Sequence, residues 1–376
     1  MEHSGLSGEA AIPEAELLIQ CLRGSPLTLT RGIDWRALLT LAEIHGVLPL
    51  IFRALAANDL EMPELFVDAA WHSQSSTEVL AAQLEQLLAS FAEYSIEVIP
   101  LKGPVLAETL YGDVTARPCT DLDLLVRISD YTRAEKVLTD AGWIASSPAD
   151  EYHRKFVRNG ILVELHFGVA SPRSFPFDLN GVWGRTQSSA FRSQPLKAMS
   201  EVDRALYLLL HGVKHGYSKL TWILDADFAL NAVRECSPQE FVERARAQGL
   251  EQVLYTGCTM VEELLPRHLP EDLFVALAES PKAMQAARAG VERILAGEIG
   301  TGRGGPEIWG LYLQIETEPR KRWNRRLGFF IPTIEDYRWA ASHRIPRGLA
   351  LFVRPFRLLA KYGIRRIWRA AFPSSV

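Results

Sequence analysis

Residues 96–126 read IEVIPLKGPVLAETLYGDVTARPCTDLDLLV, and this stretch decides the fold. A short apolar strand, IEVIPL at 96–101, leads into KGP at 102–104, where glycine allows a tight turn and proline suits the first position of a helix. After a loop, DLDLLV at 121–126 predicts a second strand. Strand, turn, helix and strand in this order predict the core of an α+β fold.

The chain after this stretch predicts a hairpin. A helical pattern from Tyr131 to Ala141 is followed by two alternating runs, EYHRKFV at 151–157 and ILVELHF at 161–167. RNG at 158–160 joins the two runs, and an Asn-Gly pair between alternating segments is a strong hairpin signal. We therefore expect these strands to complete a small mixed β-sheet.

Helical patterns lie on both sides of this core. Apolar residues recur at helical spacing between about residues 14 and 92, where Asp34 is the expected cap of one helix, and again through most of the chain beyond the Pro-rich loop at about 171–179. The predicted fold is a small mixed sheet flanked by N-terminal and C-terminal helical regions. The expected units are an N-terminal helical region at 1–92, the sheet core at 93–195, a helical domain at 196–300 and a basic helical extension at 301–376.

The composition is that of a globular protein. With 376 residues, 48% hydrophobic and 23% charged, the chain exceeds the usual single-domain size and fits neither a disordered nor a fibrous class. A net charge of −4 gives no basic excess for general nucleic-acid binding. The four cysteines form no CxxC pair, which argues against a zinc finger and a disulfide framework. Because the sequence shows neither a signal-peptide pattern nor an apolar run of about 18 residues, we expect a cytoplasmic protein.

Two acidic residues share one face of the second strand. Side chains alternate along a strand, so Asp121 and Asp123 point the same way while Leu122 points to the other side. Like charges held this close repel each other unless a cation neutralises them, and carboxylate oxygens suit Mg²⁺ or Mn²⁺. Glu164, between apolar neighbours in the second hairpin strand, supplies a third acid. An isolated D-x-D can instead be a solvated edge-strand feature, and its context here favours the metal site.

Three segments together resemble a known family. They are LKGPVLAETLYGDVTARPCTDLDLLV at 101–126, VELHF at 163–167 and HGVKHGYSKLTWILD at 211–225. Over roughly residues 30–260 the chain resembles the uncharacterised nucleotidyltransferases of the polymerase-beta-like superfamily. The resemblance implies that Asp121, Asp123 and Glu164 bind the metal ions and catalyse the reaction. It also implies that the turn at 102–103 approaches the phosphates of a nucleoside triphosphate (NTP).

The turn departs from the pattern of better-known superfamily members. They have Gly-Ser where this chain has Gly103-Pro104, and proline offers no N–H to a phosphate. Lys102 supplies charge in place of the lost donor, and Gly103 still allows close backbone approach. Arg117 matches a basic position of the family and is a candidate for stabilising phosphate charge, with a surface arginine as the alternative.

Further nucleotide-binding candidates lie at the family's third segment. His211 and His215 are four residues apart on a predicted helix, with Lys214 beside them and Asp225 further on, and the family shares this pattern. No glutamate lies between the histidines, so a zinc role is less favoured than contact with the nucleotide, and core-capping histidines are the alternative. His166, two residues after Glu164, faces the same way as that carboxylate and is also a candidate.

The C-terminal end is strongly cationic. The chain contains no acidic residue after Asp336, while nine arginines and lysines stand there among Phe, Leu and Trp residues. Such a segment can lie on an anionic membrane surface, bind an acidic carrier or RNA, or pack its apolar face on the protein and leave its basic face in solvent.

These features predict a metal-dependent nucleotidyltransferase. It would transfer a nucleoside monophosphate from ATP or another NTP to a hydroxyl of a small-molecule, peptide or protein acceptor and release pyrophosphate, using Mg²⁺ or Mn²⁺. The alternative is a catalytically lapsed adaptor in a biosynthetic or toxin–antitoxin setting, since the Gly-Pro turn weakens the triphosphate site. A third possibility, an RNA-modifying transferase, depends only on the basic end. Nucleic acid is otherwise not expected as a partner.

Overall fold

The computed structural model describes residues 12–27, 32–146, 149–171, 175, 177–236, 238–265, 269, 273, 277, 280–297, 313, 315–316 and 319–371. Among these residues, four helices precede the sheet: α1 (Pro13–Arg23), α2 (Trp35–Ile44), α3 (Leu48–Ala57) and α4 (Glu64–Glu93). Asp34 accepts hydrogen bonds from the first-turn amides of α2, which confirms it as the cap.

The sheet region alternates strands with short helices. Its elements are β1 (Val98–Pro100), α5 (Pro104–Tyr111), β2 (Asp121–Val126), α6 (Tyr131–Asp140), β3 (Ile144–Ala145), β4 (His153–Arg158), β5 (Ile161–His166), α7 (Leu179–Gly184), β6 (Gln187–Phe191) and β7 (Gln194–Ala198). The order of the main sheet is β1-β2-β5-β4-β3, with β2 and β5 parallel and the other neighbours antiparallel. This confirms the predicted small mixed sheet.

The described chain after the sheet is helical. Its helices are α8 (Glu201–Lys214), α9 (Leu220–Cys236), α10 (Pro238–Ala247), α11 (Glu251–Leu264), α12 (Pro281–Leu295), α13 (Pro319–Phe330), α14 (Ile334–Ser342), α15 (Ala350–Tyr362) and α16 (Ile364–Ala371). Among the residues described, no helix is both long enough and apolar enough to cross a membrane. The N-terminal and C-terminal helical regions are therefore also confirmed.

Strand β2 lies between two hydrophobic cores. Leu122 and Leu124 point into the sheet core, which consists of side chains from α4, α6 and one face of the sheet. Leu125 points into the helical core, which contains side chains of α1–α3 and α8–α12. Because side chains alternate along the strand, Asp121 and Asp123 emerge on the face of Leu125. The two cores thus fix which way the carboxylates point.

The helical core joins distant parts of the chain. Leu18 of α1, Ile51 of α3, Leu209 of α8 and Val261 of α11 belong to one buried cluster. In space, the predicted 1–92 and 196–300 regions therefore pack together, while the proposed unit boundaries along the chain stay predictions.

The β6–β7 hairpin did not follow from the sequence pattern. Its turn residues, Arg192 and Ser193, have φ values of 46° and 73° although neither is glycine or asparagine. Such residues rarely adopt this conformation, so the usual sequence signal of a two-residue turn is absent there.

Candidate active site

The parallel pairing of β2 and β5 places two acids side by side. Asp123 is the register partner of Glu164, and Asp121 precedes Asp123 by two residues on the same face. The intervening residues Leu122 and Val163 are buried on the other face. Burying the apolar positions of both strands forces their acidic positions onto a common surface.

Asp123 is the most enclosed of these acids, with 3% of its side chain exposed. Lys102 Nζ lies 2.9 Å from its Oδ2, and His166 Nε2 lies 3.0 Å from its Oδ1. Burial disfavours the charged carboxylate, but the adjacent Lys102 and the hydrogen bond from His166 outweigh burial and lower the pKa of Asp123 well below its usual value. Asp123 is therefore ionised at neutral pH.

His166 is held between acceptors. Its Nδ1 lies 3.2 Å from the carbonyl oxygen of Gly168, while Nε2 faces Asp123 and lies 3.4 Å from Glu164 Oε2. Burial opposes the imidazolium, but the hydrogen bonds to the two carboxylates outweigh burial and raise the pKa of His166. Both ring nitrogens thus face oxygen atoms, and the contact through Nε2 orients the Asp123 carboxylate.

Glu164 is neutralised from the neighbouring strand. Lys155 Nζ lies 2.6 Å from its Oε1, and His153 Nε2 lies 3.4 Å from its Oε2. Burial raises the pKa of this carboxyl, but the hydrogen bonds from His166 and Lys155 outweigh burial and lower it to about 2. Glu164 is consequently a stable anion and a weak proton acceptor near neutral pH.

The pKa of Asp121 is shifted in the opposite direction to the pKa values of Asp123 and Glu164. Burial, followed by the negative charge of Asp123, raises the pKa of Asp121. Such mutual repulsion is the condition that a bound cation relieves. Within the described chain, Asp123, Glu164 and His166 form a group whose potential ligand atoms all lie within 4.8 Å of one another. Asp121 is not a member of this group, which has two carboxylates and one imidazole; Asp121 lies on the same face of β2, and its addition would give an oxygen-rich donor set that suits Mg²⁺ or Mn²⁺.

The turn at 102–103 lies against the start of β2. Gly103 has φ 76° and ψ −149°, a conformation that side chains with a Cβ rarely adopt, and a Cβ there would lie 3.7 Å from the carbonyl oxygen of Asp121. Pro104 occupies the first turn of α5, where its missing N–H would have no intrahelical partner anyway. The next amides of α5 can therefore still face an anion beside Asp121, despite the Gly-Pro sequence.

Arg117 and Asp225 bind each other. The guanidinium donates from Nε and Nη2 to the two carboxylate oxygens at 2.8 and 2.7 Å, and the Tyr111 hydroxyl donates to the same carboxylate at 2.7 Å. Both charged side chains are buried, with 6% of Arg117 and 1% of Asp225 exposed. This pair fastens the loop before β2 to α9, and a direct contact of either residue with nucleotide stays a prediction.

The end of α8 carries the predicted histidines and lysine. The rings of His211 and His215 lie 4.6 Å apart, and both contact Trp222 of α9. Burial, followed by the charge of Lys102, lowers the pKa of His211, so this ring is neutral at pH 7. Burial and the same Lys102 charge lower the pKa of Lys214 to about 8. Lys214 Nζ lies 4.7 Å from the ring centre of Tyr152. The nucleotide-binding role of this group stays a prediction.

Two residues of β4 complete the site and were missed in the sequence. His153 pairs in register with His166, and Lys155 pairs with Glu164. The sequence contained enough information to predict these two positions, because the hairpin turn at Asn159 places Arg158 opposite Ile161. Counting back from this turn in steps of two reaches Lys155 and His153 on the acidic face.

The family comparison covers this whole site. A family model described as "Uncharacterised nucleotidyltransferase" matches residues 31–266, well over half of the chain. The chain belongs to this nucleotidyltransferase family. Membership supports a general nucleotidyltransfer activity, and the matched range contains the turn, the three acids and the histidine helix. No curated protein and no solved structure matches the chain.

Proposed function

We propose that this family member is an active, metal-dependent nucleotidyltransferase that works in the cytoplasm. ATP is its expected donor, and an acceptor hydroxyl on a small molecule, peptide or protein attacks the α-phosphorus. The new bond joins the acceptor oxygen to the α-phosphorus, the bond from that phosphorus to the bridging oxygen breaks, and pyrophosphate leaves with the bonding electrons. The acceptor proton passes to solvent or a basic group.

The observation that carries this proposal is the register of β2 and β5. It sets Asp121, Asp123 and Glu164 on one polar face directly beside the glycine turn. Lys102 and Lys155 neutralise Asp123 and Glu164, whereas burial and the charge of Asp123 raise the pKa of Asp121, so a bound cation would relieve the repulsion at Asp121. A bound Mg²⁺ or Mn²⁺ would polarise the phosphate and neutralise its developing charge.

In this proposal, each group of site residues has a separate role. Asp121, Asp123 and Glu164 would hold the cation, and His166 would keep the Asp123 carboxylate in position through its hydrogen bond. The low pKa of Glu164 favours metal holding over proton abstraction for this residue. Gly103 and the first turn of α5 would receive the triphosphate.

In this proposal, Lys102 has two roles, one without ligand and one with ligand. Without ligand it neutralises Asp123. With a cation at the acids, Lys102 would no longer be needed to neutralise Asp123 and could contact a phosphate oxygen from the adjacent turn.

Calorimetric titration tests the proposal. The full chain is titrated with a non-hydrolysable ATP analogue with and without Mg²⁺, alongside Asp121→Asn, Asp123→Asn and the control Asp140→Asn, whose partner is the exposed Lys136. Binding that requires Mg²⁺ and both site acids, and survives the control, supports the proposal. Absence of binding with the ATP, GTP, CTP and UTP analogues in turn would overturn it and favour the adaptor.

Transfer itself needs a second readout. NTP labelled at the α-phosphate is incubated with candidate acceptors and the wild-type chain, and the label is followed into a larger product while pyrophosphate is measured. Label transfer that is lost in Asp123→Asn supports group transfer. Pyrophosphate release without labelled product would instead show hydrolysis.

A further inference from the structure

Exposed apolar side chains concentrate in the C-terminal segment, residues 319–371, which comprises α13–α16. Of the seventeen large exposed apolar side chains in the described part of the chain, eleven lie there. The others are scattered singly over the preceding residues. Single exposed apolar residues are ordinary on a protein surface, whereas a concentration of them marks an interaction site.

These side chains form a stripe. Residues 349, 352, 356 and 359 are spaced by three, four and three positions, which places them on one side of α15. The exposed fractions of the stripe residues are 50% for Leu349, 63% for Phe352, 71% for Phe356, 38% for Leu359 and, in α16, 71% for Ile364 and 63% for Trp368. Ile364 and Trp368 are four positions apart and therefore share one side of α16.

Contacts on other sides of α15 fix its orientation. Arg354 and Arg357 each approach the Asp336 carboxylate of α14 to 2.6 Å, and Val353 is buried. With these residues turned inwards, Phe352 and Phe356 are left pointing away from the protein. Val353 and Ile367 of this segment are thus packed on the protein, while Phe352 and Phe356 are exposed.

The surrounding surface is positively charged. The sequence after Asp336 has no acidic residue and nine arginines and lysines. Asp336 itself is buried and ion-paired. Arg344, Lys361 and Arg365 are exposed cations of the same segment. The surface thus combines apolar side chains with positive charge.

We propose that the C-terminal segment docks this protein on the surface of an anionic lipid bilayer. Phe352, Phe356 and Trp368 would enter the boundary between headgroups and acyl chains, while Lys361 and Arg365 would contact the anionic headgroups. The helices would lie along the membrane surface, in agreement with the lack of a membrane-crossing helix among the described residues.

Other partners fit this surface less well. RNA would attract the cations but would not bury the aliphatic Leu349, Leu359 and Ile364. A second copy of the chain would bring identical positive surfaces together, which costs electrostatic energy. An anionic bilayer accommodates both the apolar stripe and its charge.

Vesicle co-sedimentation tests the proposal with the full chain. Vesicles of phosphatidylcholine alone are compared with vesicles that also contain phosphatidylglycerol. We expect binding to the anionic vesicles only, weakened by salt. The double variant Phe352→Ser/Phe356→Ser should reduce the partition coefficient at least about tenfold. Lys361→Gln/Arg365→Gln should reduce it about fivefold per charge removed.

The control matches the first variant in exposure and number of changes. Ile128 and Ile144 are 69% and 73% exposed and lie outside the segment, so Ile128→Ser/Ile144→Ser should change partitioning by less than about twofold. The proposal would be overturned if Ile128→Ser/Ile144→Ser reduced the partition coefficient as much as Phe352→Ser/Phe356→Ser. It would also be overturned if the wild type did not bind phosphatidylglycerol vesicles. Sedimentation would overturn it as well if it showed that the wild type forms oligomers that Phe352→Ser/Phe356→Ser dissociates while vesicles remain unbound, because the stripe would then join copies of the chain.

Discussion

Replacing Lys102 by methionine should destabilise the protein, and Mg²⁺ should restore much of the loss. The Lys102 side chain is 15% exposed and Asp123 is 3% exposed, so the variant removes one member of an enclosed ion pair. Breaking such a pair costs about 3–5 kcal/mol, and the remaining hydrogen bond from His166 puts the expected loss near 3 kcal/mol. A cation bound at a hundred times its dissociation constant returns about 2.7 kcal/mol.

Urea unfolding followed by circular dichroism, with and without Mg²⁺, measures both quantities. The wild type should gain less from Mg²⁺ than Lys102→Met, because Lys102 already neutralises Asp123. Arg244→Met is the matched control, since Arg244 is 17% exposed and pairs with fully buried Asp203 away from the acids. The reasoning would be refuted if Lys102→Met lost the same unfolding free energy with and without Mg²⁺. It would also be refuted if Mg²⁺ restored as much unfolding free energy to Arg244→Met as to Lys102→Met.

Three further changes give distinct outcomes. Asp225→Ala should lower the unfolding free energy by about 3–5 kcal/mol in urea titrations, because it leaves the Arg117 charge buried and unpaired. Burial, followed by the charge of Lys219, lowers the pKa of His45 to about 4. As the pH falls through about 6.5, His45 therefore binds a proton in the unfolded chain but not in the folded chain. Stability should therefore fall by about 3 kcal/mol between about pH 6.5 and pH 4, and His45→Leu should remove this part of the slope. Gly103→Ala should cost about 1–3 kcal/mol through backbone strain and weaken binding of the ATP analogue in calorimetry.

Each of these changes has a control on the same chain. Asp140→Ala breaks an exposed pair with Lys136 and should cost less than about 1 kcal/mol. His72 is exposed, so His72→Leu should leave the acid slope in place. A Cβ at Gly184 would meet no heavy atom within 4 Å, so Gly184→Ala should be tolerated. If Asp225→Ala keeps wild-type stability but loses nucleotide binding, the carboxylate contacts the nucleotide and does not serve mainly as the partner of Arg117.

The sequence was sufficient to predict the strands that carry the acids. Alternation within 121–126 determines which side chains share a face, and the Asn-Gly turn at 159–160 determines the hairpin register. These are local rules that operate over a few residues. The convergence of Asp123 with Glu164 also requires the parallel pairing of β2 with β5, which these local rules do not specify.

Pairings between distant segments could not be predicted in this way. Arg117 and Asp225 are 108 positions apart, and nothing near either residue indicates its partner. The contact of Lys102 with Asp123 is similar, because a flexible lysine chain can point towards solvent or towards the acid with the same backbone. Such contacts depend on how helices and sheet assemble, which local spacing does not specify.

The position of β2 between two cores has a consequence for folding cooperativity. Leu124 is buried with the sheet core and Leu125 with the helical core, so neither cluster can separate without moving the strand that holds Asp123. The carboxylates are in place only while both halves are folded. A ligand at these acids therefore binds a state in which both cores are intact, and its binding free energy opposes partial opening of either one.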